Sequence, residues 1–103
     1  MPDFNILISD GLEENGQSIL RAAARLDDKA GISAADLTKA IGDYHALIVR
    51  GRTKVTDEVF TAGKNLKVVG RAGVGVDNIE LEAAKKHGVT VVNSPTATTL
   101  AVA

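Results

Sequence analysis

Three arginines and a lysine, Arg50, Arg52, Lys54 and Arg71, stand just beyond apolar runs in a chain whose formal net charge is only −1. Guanidinium forks match the geometry of carboxylates and phosphates, so these residue types suit a small anion. Arg71 also opens Arg71-Ala72-Gly73-Val74-Gly75. Successive backbone N–H groups there, leading into a helical pattern, can form an anion nest. The glycines fall at 70, 73 and 75, which is G-x-x-G-x-G and not the G-x-G-x-x-G of a dinucleotide fingerprint. No Walker pattern occurs. By spacing alone the loop is either a tight turn or an anion contact.

Other chemistries find less support. The chain has no cysteine, hence no thiolate nucleophile, disulfide or Cys-ligated metal. His87 closes a helical pattern, where the helix dipole explains it, and His45 abuts a strand. No Ser/His/Asp order and no metal-ligand cluster is evident. Asp77 and Asn78 read as helix caps.

The elements that must hold these residues follow from periodicity. Residues 4–9 are a short apolar run ending in the turn signal Asp10-Gly11, read as a buried strand. Residues 13–26 carry Ile19, Leu20, Ala23 and Ala24 at helical spacing. Residues 27–31 are charged and sit where a short edge strand is needed. Ser33-Ala34-Ala35-Asp36 resembles a capping box ahead of a helix ending near Gly42. Residues 46–49 form a strand, and Thr56 is placed to cap a helix that ends near Gly63. Residues 66–69 read as strand, 70–75 as loop, 77–87 as helix with Gly88 at its C′ position, and 89–92 as a last strand stopped by Asn93-Ser94-Pro95.

Strands apolar on both faces, alternating with helices, predict an α/β fold: a doubly wound, parallel five-stranded, flavodoxin-like sheet of order 2-1-3-4-5. The final covering helix is missing or truncated, because 97–103 offers only the start of one. In such sheets ligands bind beyond the carboxyl ends of the strands, where the arginines collect.

Length and composition agree with one domain. The 103 residues are 45% hydrophobic and 24% charged, which is globular composition. Near-neutral charge argues against nucleic acid as a partner, and three aromatic residues give no base-stacking platform. No apolar run approaches the roughly 18 residues of a membrane span, so no membrane association is expected, and a cytoplasmic location is.

Three stretches resemble the D-isomer-specific 2-hydroxyacid dehydrogenase family: residues 47–56, residues 66–79 with the string V-G-R-A-G-V-G-V-D-N, and residues 83–84 with 91–95. The resemblance runs from Ile6 to the end, and that string carries most of its specificity. Gly51 departs from it, since serine is expected in most relatives. The resemblance implies the substrate-binding domain (1–96) of an NAD-dependent oxidoreductase, followed by the truncated start of an interdomain helix (97–103). It implies oxidation of 3-phosphoglycerate to 3-phosphohydroxypyruvate, opening serine biosynthesis. It assigns Arg50, Gly51, Arg71, Gly73, Val74 and Gly75 to the substrate, and Val74, Asn93 and Thr96 to the cofactor. The family's catalytic histidine, glutamate and arginine lie further along than Ala103. The chain alone is therefore expected to be inactive and not to hold NAD tightly. Its partners would be the anionic substrate, an NAD domain, and possible further copies of itself through the uncovered face of the fifth strand.

Two rivals remain. A phosphoacceptor receiver domain shares the topology, but it wants acids after the first and third strands where this chain has one aspartate and Arg50. An inert or engineered half-domain scaffold, or a stand-alone small-anion-binding module, is the other.

Overall fold

The chain alternates strand and helix throughout: β1 (Asn5–Ile8), α1 (Glu14–Ala23), β2 (Arg25–Asp28), α2 (Ala34–Ala40), a single 3₁₀ turn at Ile41–Asp43, β3 (Ala46–Val49), α3 (Asp57–Ala62), β4 (Val68–Ala72), α4 (Leu81–Lys86) and β5 (Thr90–Ser94). This computed structural model describes residues 5–11, 14–72 and 78–94. The strands form one sheet of order β2-β1-β3-β4-β5, and every pairing is parallel. The predicted architecture and strand order are the observed ones.

Strand alternation divides the core in two. Leu7, Leu47, Val49 and Val69 point to one face, where they meet Leu37, Ile41, Val59, Phe60, Ala83 and Ala84 from the helices. Ile6, Ile8, Ala46 and Ile48 point to the other, against Ala24, Leu26 and Val68. Because both faces are covered, the inner strands are continuous apolar runs.

Several boundaries differ from the sequence reading, each for a tertiary reason. The first helix stops at Ala23 and not near residue 26. Leu26 belongs to β2, pairs with Ile6, and packs on the second face of the core. The expected edge strand exists and begins two residues earlier than 27. Gly70, Arg71 and Ala72 are strand and not loop, because they are paired on the β5 side with Val92, Asn93 and Ser94. The last two of these three pairs also carry β5 through Asn93 and Ser94, which were expected to stop it. Gly70 has weak strand propensity, but ladders to Ile48 and Val92 on both sides override it.

The fourth helix begins at Leu81 and not at 77, because Ile79 forms a parallel bridge with Val55. Val55 N–H donates to Asn78 O at 2.9 Å, and Glu80 N–H donates to Val55 O at 3.0 Å. Residues 78–80 are thereby held extended. Thr56 occupies the N-cap of α3 without a side-chain cap bond. Glu80 Oε1 instead accepts the Asp57 N–H at 3.2 Å. Ser33 does cap α2, accepting the Asp36 N–H at 3.2 Å, and Gly88 adopts the expected left-handed conformation with φ +71°.

Leu47 lies at the centre of the sheet and is fully buried. Leu47→Ala should destabilise the chain by about 2–5 kcal/mol through lost burial and the cavity left behind. Urea unfolding measures this, and an unchanged midpoint would contradict the packing described.

Candidate functional site

The order of the sheet sets the carboxyl ends of β1, β3 and β4 side by side. Ser9 and Asp10 leave β1, the turn Arg50–Thr53 leaves β3, and Arg71 is near the end of β4. The turn is gripped from two sides. Asp10 Oδ2 accepts the backbone N–H of Arg50 at 2.8 Å and of Thr53 at 2.9 Å. Asp10 Oδ1 accepts the Thr53 hydroxyl at 2.5 Å and forms an ion pair with Arg52 Nε at 3.0 Å. The Thr53 and Ser9 hydroxyl oxygens stand 2.9 Å apart and are buried. A carboxylate only accepts, so the single Thr53 proton goes to Asp10 and the Thr53 oxygen accepts from Ser9.

On the other side Asn78 Nδ2 donates to Arg50 O at 2.7 Å and to Thr53 O at 2.5 Å. Arg50 and Thr53 thus give their N–H groups to one carboxylate and their carbonyls to one carboxamide. Asn78 was read as a helix cap; it is instead the clamp on this turn, and the bridged segment 78–80 supports it from behind.

The cations after the strands separate by role. Arg71 Nε donates to Arg50 O at 3.2 Å, which brings Arg50 and Arg71 together as the sequence predicts. Gly51 lies under the Arg71 guanidinium, where a Cβ would sit 3.4 Å from Nη2. Arg50 is exposed and Arg71 half-buried, so two guanidinium-bearing residues meet where solvent can deliver an anion. Arg52 is differently employed. Besides the pair with Asp10, its Nη2 donates to Ser9 O and Ile32 O, each at 2.9 Å, stapling the segment after β2 to β1. The charge pair of Asp10 is with Arg52, and Arg50 contributes only its amide. Lys54 borders a groove of about 410 Å³ between α2 and α3, lined by Leu37 and Val59, and neither Arg50 nor Arg71 lines it.

Asn93 pairs with Arg71 in the β4–β5 ladder. Gly73, Val74, Gly75 and Thr96 lie outside the described residues.

The Asp10 side chain is only 2% exposed. Burial by itself would raise its carboxyl, but the Thr53 hydroxyl, the Thr53 and Arg50 amides and the Arg52 charge outweigh burial and hold the pKa below its ordinary value. Elsewhere, Tyr44 ahead of β3 donates to Asp27 at 2.7 Å, and burial with that bond pushes its phenol up to about 12. It is a structural hydrogen-bond donor at neutral pH and stands at the opposite end of β3 from the arginines. His87 and Asp57 form a surface pair at 2.9 Å, with the imidazole stacked on Phe60. The bond from His87 lowers the Asp57 pKa. His45 Nδ1 accepts the Asn5 N–H at 3.0 Å, a structural role. Among the described residues no group of three or more His, Cys, Asp or Glu could hold a metal ion.

A parallel doubly wound sheet of order 2-1-3-4-5, with arginines at the carboxyl ends of its strands, defines the class of flavodoxin-like α/β domains. Within that class the chain belongs to the D-isomer-specific 2-hydroxyacid dehydrogenase family: residues 6–103 match its catalytic domain. Among curated proteins it is 45% identical over 98 residues to D-3-phosphoglycerate dehydrogenase of Synechocystis, covering 95% of the chain and 18% of that protein. It is 51% identical over 104 residues to the chloroplastic D-3-phosphoglycerate dehydrogenase 2 of Arabidopsis thaliana, covering 100% of the chain and 17% of that protein. The chain therefore spans under a fifth of the length of these relatives. Among solved structures it is similar to a protein of Pyrococcus horikoshii, with a TM-score of 0.83 and 29% identity over 86% of this chain and 27% of that one. It is also similar to the NAD+-bound 3-phosphoglycerate dehydrogenase of Entamoeba histolytica, with a TM-score of 0.74 and 29% identity over 88% of this chain and 32% of that one.

The Asp10 network yields a pH prediction. Its folded-state pKa lies below its unfolded value of about 3.9, so the carboxylate stabilises the fold above that value. The contribution is lost as pH falls through the folded-state pKa. Asp10→Asn turns an amide NH₂ toward groups that are themselves donors and should cost about 3 kcal/mol at neutral pH. Urea unfolding of wild type and variant across the acid range checks both points: the gap should narrow below about pH 4, and a constant gap would contradict the lowered pKa.

Proposed function

We propose that the chain is the substrate-holding part of an NAD-dependent oxidoreductase that oxidises 3-phosphoglycerate to 3-phosphohydroxypyruvate, the entry to serine biosynthesis. The observation that carries this reading is the 3.2 Å bond from Arg71 Nε to Arg50 O. It joins two family-matched arginines at one point of the rim, beside Gly51. Membership of the family and high identity to D-3-phosphoglycerate dehydrogenases support the particular substrate.

In this reading Arg50 and Arg71 neutralise the carboxylate or phosphate and fix the substrate's orientation, with Gly51 leaving room for close approach. The resemblance assigns Gly73, Val74 and Gly75 to the same anion. It assigns Val74, Asn93 and Thr96 to the cofactor. Asn93 is one strand away from Arg71 in register, which suits a cofactor placed beside the substrate. Bound NAD supplies a hydride acceptor for C2 of the substrate. The family's proton-handling histidine, with its glutamate partner, and its carbonyl-polarising arginine have no counterparts before Ala103, so the chain alone holds substrate without oxidising it. Residues 1–96 are the substrate-binding domain and 97–103 begin the connection to the NAD domain. β5 is a sheet edge with Val91 and Val92 only half-buried, a face for that domain or for a second copy of the chain. No helix among the described residues is long and apolar enough to cross a membrane, and the reading places the protein in the cytoplasm.

NADH absorbance tests the reading. With NAD and 3-phosphoglycerate, a longer polypeptide that carries this chain should form NADH. The chain alone should not, while its Gly73–Gly75 amide resonances shift and saturate with 3-phosphoglycerate. In the longer polypeptide Arg71→Ala should lower kcat/KM by about 10²-fold or more, as expected for a charge held in a dry cleft. An unchanged kcat/KM rejects the role of Arg71, and NADH formed by the chain alone rejects the division of labour.

A further inference from the structure

We propose that Asn78 is a positioning residue, one that holds the Arg50–Thr53 turn in the conformation that aims Arg50 and Arg71 at a shared anion. The proposal rests on the 3-phosphoglycerate reading above and deepens it.

Three observations carry it. First, Asn78 uses both protons of its carboxamide on the turn, at Arg50 O and Thr53 O. Two carbonyls facing the group can only accept, which fixes the amide's orientation without ambiguity. Second, Arg50 O is a shared acceptor. Asn78 Nδ2 reaches it at 2.7 Å and Arg71 Nε at 3.2 Å. Rotating the Arg50 peptide would therefore move the Arg50 side chain and unseat Arg71 together. Third, Asn78 Oδ1 is buried with no hydrogen-bond partner among the described residues. A buried acceptor left unpaired is destabilising. An apolar residue would avoid that cost only by giving up both bonds to the turn, so asparagine here accepts an unpaired oxygen in return for its hold on Arg50 O and Thr53 O. Local violations of this kind concentrate at functional sites.

The backbone gives the clamp its purchase. Asn78 O accepts Val55 N–H at 2.9 Å, and Ile79 and Val55 are buried at the bridge. Asp10 secures the amides of the same turn independently, so loss of Asn78 frees Thr53 O and leaves Arg50 O to Arg71 alone, without releasing the amides. The expected consequence is a turn that stays attached and loses its orientation.

The test compares wild type, Asn78→Ala and Asn78→Leu in the full chain. Leucine keeps the branched four-atom skeleton of asparagine, with bulkier methyl groups, and removes its donors and its unpaired oxygen. Three readouts are taken: the thermal midpoint, amide exchange at Arg50–Thr53, and titration with 3-phosphoglycerate followed by amide shifts. The expected result is a thermal midpoint for Asn78→Leu within a few degrees of wild type, faster exchange at the turn in both variants, and at least tenfold weaker binding in both. Wild-type affinity in the variants overturns the proposal, because the turn then does not need the clamp to present its arginines. Global unfolding of both variants also overturns it, and assigns Asn78 to the frame of the fold. If the wild-type chain does not bind 3-phosphoglycerate at all, the functional reading fails, an outcome separate from wild-type affinity retained without the clamp.

Discussion

One buried carboxylate organises the rim. Asp10 takes two amides, one hydroxyl and one guanidinium, which satisfies both of its oxygens. A charge in this position is tolerable only because every lone pair facing inward has a donor. The same requirement fixes the neighbours. Thr53 must present its hydroxyl, which sets its rotamer and leaves its oxygen for Ser9. Arg52 must fold back over β1, which removes it from the set of cations available to a ligand. The turn after β3 is therefore shaped by the need to satisfy a residue at the end of β1.

The sheet order makes this possible. In a 2-1-3-4-5 sheet β1 and β3 are neighbours although a helix, a strand and another helix separate them in sequence. The chain turns outward in both directions from that pair, so the loops beyond their carboxyl ends leave a crevice between them. Asp10 bridges the loops that follow β1 and β3, and Arg50 and Arg71 meet beside that bridge. Asn78 completes the frame from the β4 side. The arrangement separates two duties that lie close together in sequence: Arg52 and Thr53 hold the turn, while Arg50 and Gly51 are left exposed.

Rigid support and exposed cations complement one another. Arginines held by their own backbone neighbours need little reordering when an anion arrives, and pre-organisation of that kind reduces the entropic cost of binding. The parallel ladders β3–β4 and β4–β5 extend through Arg71 and Asn93. Arg71 and Asn93, which the family likeness associates with substrate and cofactor, thus lie on adjacent strands and not on free loops, which limits their relative motion.

Much of this was legible in the residues. The apolar runs at 6–8 and 46–49 reported two-sided burial, and their alternation with helical patterns predicted the parallel sheet and its order. The clustering of Arg50 and Arg71 followed from placing both after strands of that sheet. The signals that succeeded are local: periodicity, caps and turn residues act within a few positions. What failed was non-local. The end of α1, the strand character of Gly70–Ala72 and Asn93–Ser94, and the late start of α4 were all decided by ladder partners. Asp10 meets the 50–53 turn across 40 and 43 residues, and Asn78 meets it across 28 and 25. No spacing rule spans such distances. Sequence by itself determined which segments pair and where positive charge gathers, because both follow from the order of apolar and charged residues along the chain. Only the closed tertiary structure decided which of those charges is spent on the fold and which faces outward, because a buried carboxylate selects its donors by proximity in space.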